Sequence, residues 1–243
     1  MRGPTPIAGH VTLLIRACAF VARVLARAVT RVRIEGEVDS IPRSGPVILA
    51  ANHTSNADPV VIGGFLTQTL NRRVNWLGKK ELFQIPIFGW LCWHGGIHPV
   101  DRGTADVDAF KLARKILVEG HLLAVFPEGT RSPNGTLQAA KDGIALLAIR
   151  TGAPVIPIGI EGADRVWPKG RKLPRLGGHI TIRIGAPIVV EASAGGAGRR
   201  AAKSEATERI MRAIAALLPE RQRGVYGASD SESVPPSPEV AGV

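Results

Sequence analysis

The sequence predicts an α/β fold in which a mixed, mostly parallel sheet is covered by helices. Short apolar runs bounded by turn residues alternate with segments of helical periodicity between residues 46 and 185, and this alternation is typical of strands buried between helices. The chain has 243 residues, of which 45% are hydrophobic, which is enough for one sizeable core but short for two. We therefore expect one folded domain over residues 32–218.

An amphipathic helix within residues 1–31 is the first predicted element. Placed at about 100° per residue, four arginines share one narrow sector of it: Arg16, Arg23, Arg27 and Arg31. Because arginines interrupt the apolar residues, no run approaches the roughly 18 apolar residues that a membrane span needs. The basic stripe favours a helix that lies in the interface of an anionic membrane. The alternative is a surface helix packed on the domain, with its arginines in water.

The strands and helices of the domain follow from the same periodicities. The predicted strands are residues 46–51, 74–78, 95–100, 121–126, 154–160 and 179–185. One helix is predicted to begin at Asp58, where a proline follows, and two others are predicted to end at Gly120 and Gly152. Strands separated by such helices indicate parallel pairing with both faces of the sheet covered.

Three stretches depart from this alternation. Residues 83–93 are apolar but contain a proline and a glycine, which predicts a broken helix or a loop. Residues 191–204 are linker-like in composition, and Ser204 is predicted to cap a last amphipathic helix. Residues 219–243 are rich in serine, proline and acid, which predicts a disordered tail.

The net charge is +11 and the pI is about 10.6, so an anionic partner is expected: nucleic acid, an anionic membrane or a phosphorylated small molecule. The basic stretch 165–179 suits a membrane interface or the phosphates of coenzyme A, or it is simply a solvated loop. No nucleic-acid motif accompanies the charge, so we expect no nucleic acid partner. Cys18 and Cys92 lack C-x-x-C spacing, so neither a disulfide framework nor a metal site is expected.

The loop after the first predicted strand, "NHTSNADP", holds one histidine and one aspartate. His53 is suited to accept a proton near neutral pH. Asp58 can hold its other ring nitrogen, provided that a turn brings the two residues together. Alternatively, Asp58 only caps a helix that has proline at its first position, and His53 fills a polar corner.

Two more predicted strands end in ionic residues. Asp101 and Arg102 follow the strand 95–100, where the arginine grips a phosphate or the pair forms a surface salt bridge. Strand 121–126 runs into "PEGTRS", where Gly129 allows a tight turn with outward backbone amides suited to an oxyanion, beside Thr130 and Arg131. The alternative for this segment is an ordinary turn.

The chain resembles the glycerolipid acyltransferases, in particular the 1-acylglycerol-3-phosphate (lysophosphatidate) acyltransferases. Four family blocks occur in order: "NHTSNAD", "GGIHPVDR", "FPEGTRS" and "PVIPIGI", and "GKKELFQIPIFGW" is also similar. The resemblance covers roughly residues 32 to 187, and four blocks in order are far more specific than any one of them. One departure is Ala140, where the family often has an aromatic residue before the lysine.

The resemblance implies a glycerol-3-phosphate acyltransferase-like fold and a reaction. His53 is implied to be the general base that activates the free hydroxyl of lysophosphatidate for attack on an acyl thioester, giving phosphatidate, with Asp58 orienting it. No cofactor is implied, because acyl-CoA or acyl carrier protein serves as a co-substrate. The residues implied to bind substrate or shape the pocket are Ser55, Lys79, Arg102, Glu128, Gly129, Thr130 and Arg131.

The implied location is peripheral, on the cytoplasmic face of the cell membrane. Two alternatives stay open at this point. The acceptor can be another lysophospholipid or alcohol, because two arginines would grip any phosphomonoester. The chain can also be a non-catalytic basic protein that binds a membrane or nucleic acid.

Overall fold

The computed structural model of the chain describes residues 11–86, 88–100, 106–141, 143–191 and 198–227. Its helices are α1 (Leu13–Val29), α2 (Asp58–Leu70), α3 (Phe88–His94), α4 (Asp106–Val118), α5 (Gly143–Thr151), α6 (Ala163–Val166) and α7 (Gly198–Ala216). Its strands are β1 (Arg31–Gly36), β2 (Val47–Ala51), β3 (Val74–Lys79), β4 (Ile97–Val100), β5 (Leu122–Val125), β6 (Val155–Glu161) and β7 (His179–Ile184).

The seven strands form one sheet in the order β1-β7-β6-β2-β5-β3-β4. Every neighbouring pair is parallel except β6 and β7, which are antiparallel. The predicted mixed, mostly parallel sheet is therefore confirmed. Strand β2 lies at the centre of the sheet and all five of its residues are buried, which explains its continuous apolar sequence.

Successive residues of β2 point to opposite faces of the sheet, and each face has its own core. Leu49 belongs to the cluster that includes Ile62 and other residues of α2. Ile48 belongs to the second cluster, to which α4, α5 and α7 contribute. Both faces are thus covered by helices, and the loops at the carboxyl ends of the parallel strands remain available for a site.

The backbones of helices α1 and α2 pack closely against each other at Gly64. A side chain at Gly64 would lie 3.2 Å from the Cβ of Ala22 and from the backbone nitrogen of Arg23, so the glycine permits the contact. The guanidinium of Arg27 lies over the ring of Phe65 at 5.4 Å. None of the helices in the described residues is long and apolar enough to cross a membrane.

The end predicted for the first helix was wrong. Helix α1 stops at Val29, and Arg31 begins β1, which pairs in parallel with β7. Arg31 therefore does not belong to the arginine stripe of the helix. In this segment Val32 and Ile34 are the less exposed residues and pack against the core. Buried and exposed residues therefore alternate with the period of two that is expected of a strand.

Two predictions for the C-terminal part also fail. Ser204 lies inside α7, which begins at Gly198, so it is not the helix cap and residues 198–204 are not a linker. Residues 219–227, assigned to the disordered tail, form two short 3-10 turns against the domain, with Gln222 buried. The rest of the predicted tail, residues 228–243, lies outside the described residues.

Candidate active site

His53 and Asp58 are in direct contact in the loop between β2 and α2. The Nδ1 atom of His53 lies 2.8 Å from Oδ2 of Asp58. The same oxygen accepts hydrogen bonds from the backbone N–H groups of Thr54, at 2.8 Å, and Ser55, at 2.7 Å. Asp58 is the first residue of α2 and Ala57 is the N-cap, so the carboxylate folds back over its own loop instead of capping the helix.

An aromatic ring packs against the face of the His53 imidazole. The imidazole stacks on Phe126 with 3.9 Å between ring centroids and an angle of 10° between planes, and Phe126 in turn contacts Trp76. The His53 side chain is 17% exposed. Asp58 thus holds Nδ1, and among the described residues no group hydrogen-bonds to the Nε2 atom.

Glu128 lies in the turn after β5 and connects this turn to the main chain of His53 by hydrogen bonds. Its Oε1 accepts the N–H of His53 at 2.6 Å, and its Oε2 accepts the N–H of Gln138 at 2.9 Å. The carbonyl of His53 accepts the N–H of Ser132 at 2.7 Å. Both backbone polar groups of the histidine are thereby satisfied from one segment, which sets its position relative to the β5 turn.

Asp58 and Glu128 are buried, and the pKa values of both carboxyl groups are raised. Burial is the main cause that raises the pKa of Glu128 to about 7. The N–H groups of His53 and Gln138 lower this pKa, and the charge of Asp58 raises it. Burial also raises the pKa of Asp58, while its hydrogen bond to His53, the histidine's charge and the two loop amides lower it.

The turn "PEGTRS" differs in one respect from the expectation. Gly129 has φ +71, as a tight turn requires, but its N–H donates to the carbonyl of Phe126 at 3.0 Å, so it is not free to bind an oxyanion. Thr130 is exposed. Arg131 donates through Nη1 to the side-chain oxygen of Asn56, and it does not pair with Glu128 in the described part of the chain.

Lys141 was not among the predicted site residues. Its N–H donates to the carbonyl of Pro127 at 3.0 Å. Its side chain crosses the open side of Gly129, where an added Cβ would lie 3.1 Å from Cε and 3.7 Å from Nζ. An exposed cation therefore sits on the turn that carries Arg131. In the sequence it was noted only as the lysine that follows the departure at Ala140.

Two polar residues of the first loop are buried and hold its shape. The hydroxyl of Ser55 donates to the carbonyl of Trp167 at 2.7 Å and accepts the N–H of Ala57 at 3.0 Å. The side chain of Asn52 bonds both the carbonyl and the N–H of Ile160 in β6, at 3.0 and 2.7 Å. Ser55, grouped with substrate-binding residues from the sequence, thus makes loop contacts, and Asn52 is a structural residue that the sequence analysis passed over.

Two predicted site residues remain to be placed. Lys79 is the last residue of β3 and is exposed; because β3 and β5 are parallel, it lies at the same edge of the sheet as the β5 turn. Arg102 lies outside the described residues. No group of three metal-ligating side chains occurs in the part of the chain that the structure describes.

Comparison with known proteins gives one consistent family. The family described as "Acyltransferase" matches residues 31–161, more than half of the 243-residue chain. A chloroplastic 1-acyl-sn-glycerol-3-phosphate acyltransferase of Arabidopsis thaliana is 31% identical over 65% of this chain and 44% of its own length. A 1-acyl-sn-glycerol-3-phosphate acyltransferase of Pseudomonas aeruginosa is 31% identical over 69% of this chain and 63% of its own. The chain thus spans about half of the plant relative's length.

A solved structure shares the fold. The crystal structure of the 1-acyl-sn-glycerophosphate (LPA) acyltransferase PlsC from Thermotoga maritima matches with a TM-score of 0.66 and 27% sequence identity. The match covers 84% of this chain and 79% of the other. The matched family region contains the His53–Asp58 contact and the β5 turn. By sequence and by fold, the chain belongs to the acyltransferase family.

Proposed function

We propose that this protein transfers a fatty acyl group from an acyl thioester to the free hydroxyl of lysophosphatidate, which gives phosphatidate. The observation that carries the proposal is the contact between His53 Nδ1 and the buried Asp58 carboxylate, which leaves Nε2 for the substrate. The relatives named 1-acyl-sn-glycerol-3-phosphate acyltransferases support this choice of acceptor.

The reaction needs one base and no covalent enzyme intermediate. Nε2 of His53 removes the proton from the acceptor hydroxyl as its oxygen attacks the thioester carbonyl, and Asp58 stabilises the imidazolium that forms. The tetrahedral intermediate then collapses, the carbon–sulfur bond breaks, and the imidazolium returns its proton to the leaving thiolate. The thioester is already activated, so holding the two substrates in position supplies most of the remaining rate.

The phosphate of the acceptor is proposed to bind the cations around the β5 turn. Arg131 and Lys141 lie on this turn and Lys79 on the neighbouring edge of β3. The partner of Arg131 is the neutral side chain of Asn56, so its charge remains available for a phosphate. Thr130 adds an exposed hydroxyl, and Arg102 is proposed to complete the group.

The acyl donor is acyl-CoA or acyl carrier protein, used as a co-substrate. Both donors are anionic and both fit a chain with a net charge of +11. The proposed reaction requires no cofactor, because the thioester supplies the activated acyl group. Which donor is used is decided by comparing the two in the same assay.

Helix α1 is proposed to hold the enzyme at the cytoplasmic face of the cell membrane. Its exposed large apolar side chains are Leu13, Leu14, Phe20, Val21, Val24 and Leu25. Arginines lie beside them on the same helix, and this combination suits the headgroup region of an anionic bilayer. Deleting residues 1–30 is expected to weaken binding to anionic vesicles, measured by co-sedimentation; unchanged binding would contradict the assignment.

The proposal is tested by acceptor dependence. Purified full-length protein is given long-chain acyl-CoA, or acylated carrier protein, with lysophosphatidate or with lysophosphatidylcholine, and the product is identified by mass spectrometry. Phosphatidate formed only with lysophosphatidate supports the proposal. Transfer to lysophosphatidylcholine at an equal or higher rate keeps the chemistry and rejects the acceptor, and no transfer to any acceptor rejects the function.

A further inference from the structure

Residues 167–176, called here the basic loop, are built onto the proposed active site. The carbonyl of Trp167 accepts the hydroxyl of Ser55 at 2.7 Å and the N–H of Asn56 at 3.1 Å. The ammonium group of Lys169 donates to the carbonyl of Arg131 at 3.2 Å. The basic loop therefore touches both the His53 loop and the β5 turn, and it lies next to the proposed active site.

The basic loop is also an ordered structure with its own hydrogen bonds. The indole N–H of Trp167 donates to the carbonyl of Arg171 at 3.0 Å, and the N–H of Arg175 donates to the carbonyl of Val166 at 2.8 Å. The backbone of the loop is thus held in one conformation by hydrogen bonds within the loop and to Val166.

The outward side chains combine apolar and basic groups. Leu173 is 73% exposed and Leu176 is 82% exposed, and among the described residues only Leu13 of α1 is a more exposed large apolar side chain. Lys172 and Arg175 are exposed beside them and form no ion pair within the described residues. No acidic residue occurs between 165 and 179. Exposed leucines can insert into a bilayer, and the unpaired cations beside them can contact its anionic headgroups.

The basic loop is continuous with α1. The N–H of Gly177, directly after the loop, donates to the carbonyl of Val29, the last residue of α1, at 2.7 Å. The N–H of Arg31 donates to the carbonyl of Gly178 at 3.2 Å. The basic loop is therefore joined to the C-terminal end of the helix proposed above to lie at the membrane.

We propose that the basic loop is a second lipid-binding element, which inserts Leu173 and Leu176 into an anionic bilayer and places the His53 site at the membrane surface. The acceptor lipid then reaches the site from the bilayer without passing through water. This proposal rests on the function proposed above. The competing role, binding the phosphates of acyl-CoA, accounts for the cations but leaves the two exposed leucines without a purpose.

Two double variants of the full chain test the proposal. Lys172→Gln with Arg175→Gln is expected to weaken binding to phosphatidylglycerol-containing vesicles about 25-fold, because each cation near an anionic surface contributes roughly fivefold. Leu173→Ser with Leu176→Ser is expected to weaken it about 100-fold, because each inserted leucine contributes roughly tenfold. Binding is measured by co-sedimentation, and thermal melting checks that each variant is folded.

Matched controls remove exposed residues elsewhere. Val107→Ser with Val118→Ser changes two exposed valines of α4, and Arg200→Gln with Arg209→Gln removes two exposed cations of α7. The fold-loss of vesicle binding in the charge control is expected to be less than a third of that in the charge variant of the loop. The apolar control is expected to bind vesicles as wild type does. Equal losses in the controls and in the loop variants would show that the effect is not specific to the loop and would overturn the proposal.

Kinetics separate the loop's role from the reaction itself. Loop variants are expected to lose about tenfold in rate with lysophosphatidate in vesicles and to keep the wild-type rate with a short-chain, monomeric lysophosphatidate. Unchanged vesicle binding with a raised KM for acyl-CoA would overturn the proposal and assign the loop to the donor. If wild-type protein transfers to no acceptor, the proposed function fails, and the vesicle-binding comparison still decides the role of the loop.

Discussion

Replacing Asp58 by asparagine removes one charge from the proposed site while keeping its shape. Oδ2 of Asp58 accepts three hydrogen bonds, and Oδ1 has no partner among the described residues. The amide oxygen of asparagine can take the position of Oδ2, and its NH2 group the position of Oδ1. The loop over Thr54 and Ser55 should therefore persist, and the imidazolium of His53 should lose its counter-charge.

The size of the effect follows from the geometry. With 2.8 Å between Nδ1 and Oδ2, the centres of the two charges lie about 4 Å apart, where an effective dielectric constant of about 20 gives an attraction of about 4 kcal/mol. If this attraction is present only when the histidine is protonated, its loss raises the activation barrier by a similar amount, which is about a thousandfold in rate.

The assay compares kcat for thiol release from acyl-CoA with thermal stability. Asp58→Asn is expected to lower kcat about a thousandfold and to melt close to wild type, whereas Asp58→Ala also releases two loop amides and should melt at a lower temperature. Asp39→Asn, at an exposed aspartate, serves as the control. A kcat for Asp58→Asn within threefold of wild type would refute the reasoning.

Three more predictions concern the neighbourhood of the histidine. Because burial raises the pKa of Glu128 from 4.5 to about 7, the native state holds this proton more tightly, so its stabilising effect is present below pH 4.5 and is lost as the pH rises to 7. Urea unfolding should show wild type losing about 3 kcal/mol more than Glu128→Gln over this interval; equal losses would contradict the shift. Arg131→Ala should raise KM for lysophosphatidate by at least about tenfold and leave KM for the acyl donor unchanged, and equal effects on both would count against a phosphate site. Asn52→Ala leaves two buried backbone groups of Ile160 unpaired and should lower the free energy of unfolding by about 3 kcal/mol in urea titrations; a loss below about 1 kcal/mol would show that these bonds are replaced.

Local sequence patterns predicted the central sheet well for a physical reason. Strands such as β2 and β6 are buried on both faces, so their sequences are continuous apolar runs that turn residues delimit. Strand β1 lies at the edge of the sheet and carries arginines at 31 and 33. These arginines continue the basic spacing of α1, so the helical pattern concealed a strand whose pairing with β7 depends on residues about 150 positions away.

The site was predictable to the extent that its contacts are local. His53 and Asp58 are five residues apart and lie in one turn, so their contact follows from the composition of that turn. The contact from Glu128 to the N–H of His53 spans 75 residues, and the bonds from Asn52 to Ile160 span 108. Such contacts depend on which strands are neighbours, and the sequence of one loop holds no information about this.

The most direct test of the proposed mechanism is thiol release from long-chain acyl-CoA with lysophosphatidate in anionic vesicles, compared for wild type and His53→Ala. His121→Ala is the control, because His121 immediately precedes β5 and so lies at the amino end of this strand, away from the turn at its carboxyl end. General-base catalysis by His53 predicts a loss on the order of 10³-fold in His53→Ala with little change in its melting temperature, and near-normal turnover in the control. Near-normal turnover in a folded His53→Ala protein would contradict the mechanism.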